Sequence, residues 1–321
     1  MEPTRPAAPS AAPLPPAALV AVLAPLAIAA LWLGGCSSAQ RLAVNKAGDA
    51  LAQGGSAYAS DDDPELVFQA VPFGLKTIEG LLAQSPRHKG LLLAAATGFT
   101  EYAYGALQQE ADYVEAKDLP RATELRNRAR KLYLRALGYG FRGLEVDLPD
   151  LRQRLRAAAD PEQALAGTKK EQVPLLYWTG AAWGAAISIS KDDPELSADQ
   201  SRAAALIRRV LALDESFEAG AAHDFMIAYE GGRASVGGSI EAARRHLRRS
   251  LELARGRRAG PLVTFAETVS VGRQDKAEFK QLLEQALAVD PNAAPELRLA
   301  NVLAQRRARW LLGRIEDLFV E

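Results

Sequence analysis

The stretch FKQLLEQALAVDPN, residues 279–292, decides how the rest of the chain is read. Phe279, Leu282, Leu283, Ala286 and Leu287 fall at i, i+3, i+4, i+7 and i+8. That is one face of a helix turning every 3.6 residues. Asp290-Pro291 then closes it, because the residue before a proline is pushed out of the helical region. The same stripe recurs at Ala203, Leu206, Ile207, Val210 and Leu211, and a close variant runs from Leu125 through Ala129, Leu132, Tyr133 and Ala136 to Leu137. No stretch sustains strand alternation, and Ala and Leu outweigh Val and Ile. The expectation is an all-α chain.

Each stripe ends in a related phrase: LLAQSP (81–86), RALGYG (135–140), LALDES (211–216), LELARG (251–256) and LAVDPN (287–292). A second helix rich in small residues follows each, over about 88–113, 174–190, 217–230, 260–271 and 295–319. The last three phrases start at 211, 251 and 287, which are 40 and 36 residues apart. Helix–turn–helix units near 34 residues, with small residues at helix contacts, resemble tetratricopeptide repeats. The segment 141–173 breaks the rhythm and reads as a loop-like insert. The expected architecture is therefore an irregular set of tetratricopeptide-like repeats forming a compact helical bundle, with a shared core and a concave surface.

Composition limits the function. Of 321 residues, 48 % are hydrophobic and 24 % charged, enough to build a core. Lys+Arg and Asp+Glu both number 39, so the basic excess of a nucleic-acid binder is missing. One Cys and three His (His88, His223, His246) leave little for metal chemistry and nothing for an intrachain disulfide. No metal or cofactor is expected. Gly-x-Ser-x-Gly, His-Glu-x-x-His and Gly-x-Gly-x-x-Gly are absent, so no catalytic residues are assigned.

The N-terminus speaks of location. An apolar run from Ala17 to Leu33 is too short and too closely followed by small residues to read as a spanning helix. It ends in Leu33-Gly34-Gly35-Cys36-Ser37-Ser38, which resembles the lipobox of bacterial lipoproteins. In those proteins cleavage precedes the Cys, whose thiol carries the lipid. Residues 1–35 are thus expected to be a signal peptide, 36–60 a tether and the start of the first helix, and 61–321 the helical domain. Cys36 is the expected lipidation site. Ser37, in place of an Asp, points by analogy to a periplasmic protein on the outer membrane.

Three groups of phrases carry more identity than a repeat requires. The first is NKAGDAL (45–51) with YASDDDPEL (58–66) and AVPFGLK (70–76). The second is LLYW (175–178) with AAWG (181–184). The third is HDF (223–225) with YEGGR (229–233) and GGS (237–239). In this order behind a lipobox, and with QRRARWLL (305–312) closing the chain, they resemble the T-component family of tripartite ATP-independent periplasmic (TRAP) transporters. The resemblance spans essentially the whole chain after Cys36. It implies a lipid-anchored periplasmic protein of repeat-like helices that oligomerises, docks the transporter's solute-binding subunit and holds or passes a hydrophobic ligand. It transfers no functional residue.

Residue patterns supply the candidates. Leu175–Ala186 is apolar on nearly every face, so Tyr177, Trp178 and Trp183 either pack in a core or line a cavity, with Gly180 and Gly184 leaving room beside the rings. Tyr102 and Tyr104, with Tyr113, sit on one long helix, and Tyr229 on another. His223 and Glu230, seven residues apart, can share a helical face as a buried polar pair, with Arg233 just beyond. Asp63 and Asp193, each before a Pro, suit helix N-caps. The rival reading is a tetratricopeptide-like scaffold lipoprotein for envelope or pilus assembly.

Overall fold

Helix starts are written in the side chains. Asp63 accepts a hydrogen bond from the Leu66 backbone N–H at 3.0 Å, and Asp193 does the same for Leu196 at 3.0 Å. Asp118, Ser239 and Asp275 cap Arg121, Ala242 and Glu278 in the same way. These oxygens satisfy amides that a helix start leaves unpaired. Pro64 and Pro194 follow two of the caps, where the missing N–H costs nothing.

The computed structural model describes residues 45, 46, 48–50 and 55–320. Cys36 and the apolar run before it lie outside the described residues. Among the described residues the regular structure is helical and no strand is formed. Ten principal helices form five consecutive pairs. The first pair is α1 (Pro64–Gln84) with α2 (Lys89–Tyr102, continued through a π-helical turn Ala103–Gln108 and Gln109–Val114). The second is α3 (Leu119–Leu144) with α4 (Val173–Ser188), and the third α5 (Gln200–Asp214) with α6 (Ala221–Gly231). The fourth is α7 (Ile240–Leu253) with α8 (Gly260–Phe265, continued through a π-helical turn Ala266–Ser270). The fifth is α9 (Lys276–Ala288) with α10 (Arg298–Leu312).

Second helices of successive pairs meet one another. α2 packs on α4, α6 on α8 and α8 on α10. Gly184 of α4 lies against Phe225 of α6. The order then closes: Leu303 of α10 reaches Gly105, and Trp310 lies 5.3 Å from Tyr113. Arg306 pairs with Glu65 at 2.7 Å, and Arg298 donates to the Ser60 carbonyl at 3.0 Å. The fifth pair is thereby stitched to the first.

Apolar stripes bury themselves between the pairs. One core gathers residues from α1 to α6, including Leu91, Leu92, Phe141, Leu176, Trp183 and Ile207. A second holds Phe265, Phe279, Leu283, Ala308 and Leu311 in the last two pairs. A third packs Leu107, Leu125 and Tyr133, with the Tyr133 hydroxyl donating to Gln108 at 2.6 Å.

Two sequence expectations are corrected here. RALGYG does not end its helix; α3 runs on to Leu144. Its glycines are crossing points. A Cβ at Gly140 would sit 2.3 Å from the Thr179 hydroxyl oxygen, and one at Gly143 would sit 2.6 Å from Leu175. The insert 141–173 is also partly helical, at Leu151–Ala157 and Pro161–Ala164. Gly140→Ala should therefore lower the unfolding free energy by about 1–3 kcal/mol through overpacking. Gly138 faces open space, so Gly138→Ala should be neutral or gain up to about 1 kcal/mol. Urea denaturation of the two variants checks the contrast; equal effects would contradict the packing account.

Candidate functional site

The contacts just described set α2, α4, α6, α8 and α10 in a ring. Five cylinders about 10 Å across, placed side by side in a ring, leave a central gap about 7 Å wide. Side chains facing that gap are mostly small. Thr97, Glu101 and Tyr104 form the accessible edge of α2, whose opposite face is buried. Pro174, Tyr177, Ala181 and Ala185 form that of α4; Asp224 and Ala228 that of α6. Glu101, Tyr104 and Glu218 are open to solvent at their own surfaces, yet protein lies on every side of them. The ring therefore encloses a wet recess.

One end of the recess is acidic and aromatic. The Trp178 indole N–H donates to Glu218 at 3.2 Å. Tyr177 meets Trp178 edge-on at 5.1 Å between ring centroids and leans on Phe217 at 5.4 Å. Glu218 is held in a left-handed conformation (φ 45°), followed by Ala219 (φ 53°) and Gly220 (φ 90°). Two such non-glycine residues in a row are strained, and the surrounding fold must hold them there. Enclosure by protein pushes the Glu101 carboxyl up to about 7, and the nearby charge of Glu218 adds to it. Enclosure also raises Glu218, opposed by the Trp178 N–H and by Arg258. Asp224 is raised by burial as well, but Arg258 pairs with it at 2.5 Å and the Ser250 hydroxyl donates to it at 2.5 Å.

The other end is built on the two π-helical turns. Such turns often mark functional positions because they re-aim side chains. Tyr104 leaves the first and Glu267 the second. Between them Arg307 pairs with Glu267 and, at 3.0 Å, with Asp112. Its guanidinium lies 4.3 Å from the Trp310 ring centroid. Asp112 also takes Arg126 at 2.9 Å, so the charges at this end are matched.

The sequence candidates divide. Tyr104 and Tyr177 lie at opposite ends of the recess, with Trp178 beside Tyr177. Trp183 does not: it is 1 % exposed and packs edge-on against Phe141 at 5.5 Å. Gly180 and Gly184 leave no free room, because Ile207 and Phe225 fill the space a Cβ would take. Tyr102 packs edge-on against Phe68. Tyr229 stacks with Phe225, and the Arg233 guanidinium lies 4.5 Å over its ring. The expected His223–Glu230 pair is not formed. Glu230 accepts from the Ser239 backbone at 3.0 Å, while His223 meets His246 at 2.8 Å between Nδ1 atoms and lies 3.5 Å from Glu215.

Two imidazoles so close cannot both hold protons comfortably. Burial lowers His246 to about 4, with His223 adding to it, and burial lowers His223 against the pull of Glu215. Folded values below the unfolded value mean stability that is present above about pH 6.5 and is lost as pH falls toward 4. Because the imidazole stays partly wet, a loss on the order of 1–2 kcal/mol is expected between pH 7 and 4.5. His246→Asn should flatten that part of the profile; an unchanged profile would contradict the pairing.

Sequence reasoning missed Glu101, Glu218, Arg258, Glu267 and Arg307. One signal was available: Glu101 is the only charged residue between Lys89 and Glu110. A single carboxylate in so apolar a stretch faces either water or a ligand. The others come from four separate segments, which no local pattern links. Outside the ring, a surface hollow of about 400 Å3 is lined by Arg130, Arg156 and Arg202 with Asp193, Glu195 and Asp199. Arg130–Asp193 and Arg202–Asp199 pairs already occupy four of its six charged side chains.

Known proteins resemble this chain over most of its length. An uncharacterized protein of Treponema pallidum (strain Nichols) is 29 % identical over 267 residues, covering 82 % of this chain and 83 % of its own. A family model described as TRAP transporter T-component matches residues 60–319. That span covers all ten helices, the ring and both ends of the recess, and the chain belongs to the TRAP transporter T-component family, accessory components of TRAP transport systems.

Proposed function

We propose that this protein is anchored through a lipid on Cys36 at the periplasmic face of the outer membrane, docks the solute-binding subunit of its TRAP transporter, and holds or passes a ligand with a hydrophobic body. It does so without catalysis and as an oligomer. The observation that carries the ligand part is the recess itself. Tyr104 and Tyr177 present rings to a solvent-accessible space among five helices, with Trp178 packed edge-on beside Tyr177. An enclosed site lined by rings with a few polar groups is what a small ligand requires.

Family membership supports the docking part. Native mass spectrometry of the chain from Ser37 onward, alone and mixed with the TRAP solute-binding protein of the same organism, tests it. A defined complex is expected. A lone chain that ignores that partner would favour the scaffold reading. The anchor has its own test. Cys36→Ser should move the protein from the detergent-rich phase to the aqueous phase in a detergent partition, since thioether and amide acylation both depend on that residue. Unchanged partitioning would remove the lipid from the account.

A further inference from the structure

We infer that the recess selects ligands bearing a positive charge on an apolar body, with Glu101 and Glu218 as counter-charges and the Tyr177 and Trp178 rings beside them. This rests on the reading of the recess as a ligand site and names the chemistry of its occupant.

Charge balance leads to it. This end holds three carboxylates, Glu101, Glu218 and Asp224, and one guanidinium, Arg258. Arg258 is committed to Asp224 at 2.5 Å. Glu218 accepts a hydrogen bond from the neutral N–H of Trp178 at 3.2 Å and feels the charge of Arg258 without an ion pair of its own. Among the described residues Glu101 makes no hydrogen bond and no ion pair. Ionised carboxylates without partners are costly once protein surrounds them. The same fold matches its charges at the far end, where Glu267 and Asp112 share Arg307. The excess at the near end is thus local.

The shape of the excess points to an organic cation. Among the described residues no three His, Cys, Asp or Glu side chains gather closely enough to hold a metal ion. The two carboxylates without ion pairs come from different elements, α2 and the turn before α6, so they address a charge carried on a larger body. Tyr177 and Trp178 add ring faces, which attract ammonium and guanidinium groups. Glu218 occupies a strained backbone position that presents its carboxylate beside those rings.

The probes are 1-octanol, octanoate and n-octylammonium, which share one chain length and differ in charge. Titration calorimetry at about pH 8 should rank n-octylammonium about tenfold tighter than 1-octanol, with octanoate weakest, since one well-placed charge contact is worth about that factor. The double variant Glu101→Gln with Glu218→Gln should bring n-octylammonium to within about twofold of 1-octanol and leave 1-octanol unchanged. The wild-type ranking stands even if that variant folds poorly. At about pH 5.5 the advantage should shrink as Glu101 takes up a proton. Glu218 and Tyr177 are the titratable groups that bear on it, with Asp224 and Arg258 around Tyr177 and Tyr104, Glu267 and Arg307 farther along. Equal affinities for all three probes, or octanoate binding best, would overturn the inference while leaving a ligand site in place. If none of the three binds, the ligand reading falls and this inference with it.

Discussion

Trp183→Ala is expected to lower the unfolding free energy by about 3–5 kcal/mol, the range for removing a fully buried tryptophan. The ring is 1 % exposed and joins the α3–α4 crossing to the core of the first three pairs. Neighbouring positions are closed by Gly140, Gly143, Gly180 and Gly184, whose contacts leave little freedom for collapse into the void. The cavity would therefore persist, which places the cost toward the upper end. Trp178→Phe should behave differently. Trp178 is 9 % exposed, and the change keeps most of the ring while removing one hydrogen bond to Glu218. Its loss should stay near 1 kcal/mol. Urea denaturation of both variants separates a core tryptophan from a recess tryptophan; equal losses would contradict the division.

Arg307→Met is the second large effect, at about 3 kcal/mol, the low end for breaking a buried ion pair. Only 9 % of the Arg307 side chain is exposed, and it serves Glu267 and Asp112 together. Its loss strands the Glu267 carboxylate and leaves Asp112 with Arg126 as its remaining partner, beside Tyr104 and Tyr113. Glu267 remains 35 % exposed, which limits the penalty. The stranded Glu267 carboxyl would take up a proton more readily than in the unfolded chain. The destabilisation should therefore shrink as pH falls below about 5, because protonation removes the uncompensated charge. A penalty that stays constant down to pH 4 would mean that lost packing on Trp310, 4.3 Å away, dominates.

Local chemistry in the sequence was readable wherever a rule acts within a few residues. The stripes at 203–211 and 279–287 became α5 and α9 because period and burial coincide. Asp63 and Asp193 cap as expected, since an N-cap is set by neighbours three residues away. Gly138 to Gly143 were misread because a helical glycine and a terminating glycine look alike without the partner helix. Tyr177 and Trp178 were found as rings on an apolar helix, but Trp183 could not be told from them: which side faces the recess depends on how α4 sits between α2 and α6. The His223 partner, His246, lies on the next helix, and the Arg307 network joins three helix pairs. The closure of the fifth pair onto the first has no local signature at all.

The recess is tested most directly with a neutral apolar fluorophore, N-phenyl-1-naphthylamine, titrated into the chain from Ser37 onward and into an Ala181→Trp variant. Ala181 lies one turn beyond Tyr177 on the accessible edge of α4, so an indole there should block the space without disturbing the buried face. The account predicts saturable, one-to-one fluorescence enhancement in the wild-type protein and its loss in the variant, with melting temperatures that agree within a few degrees. No enhancement in the wild-type protein, or equal enhancement in both, would contradict a ligand-holding recess.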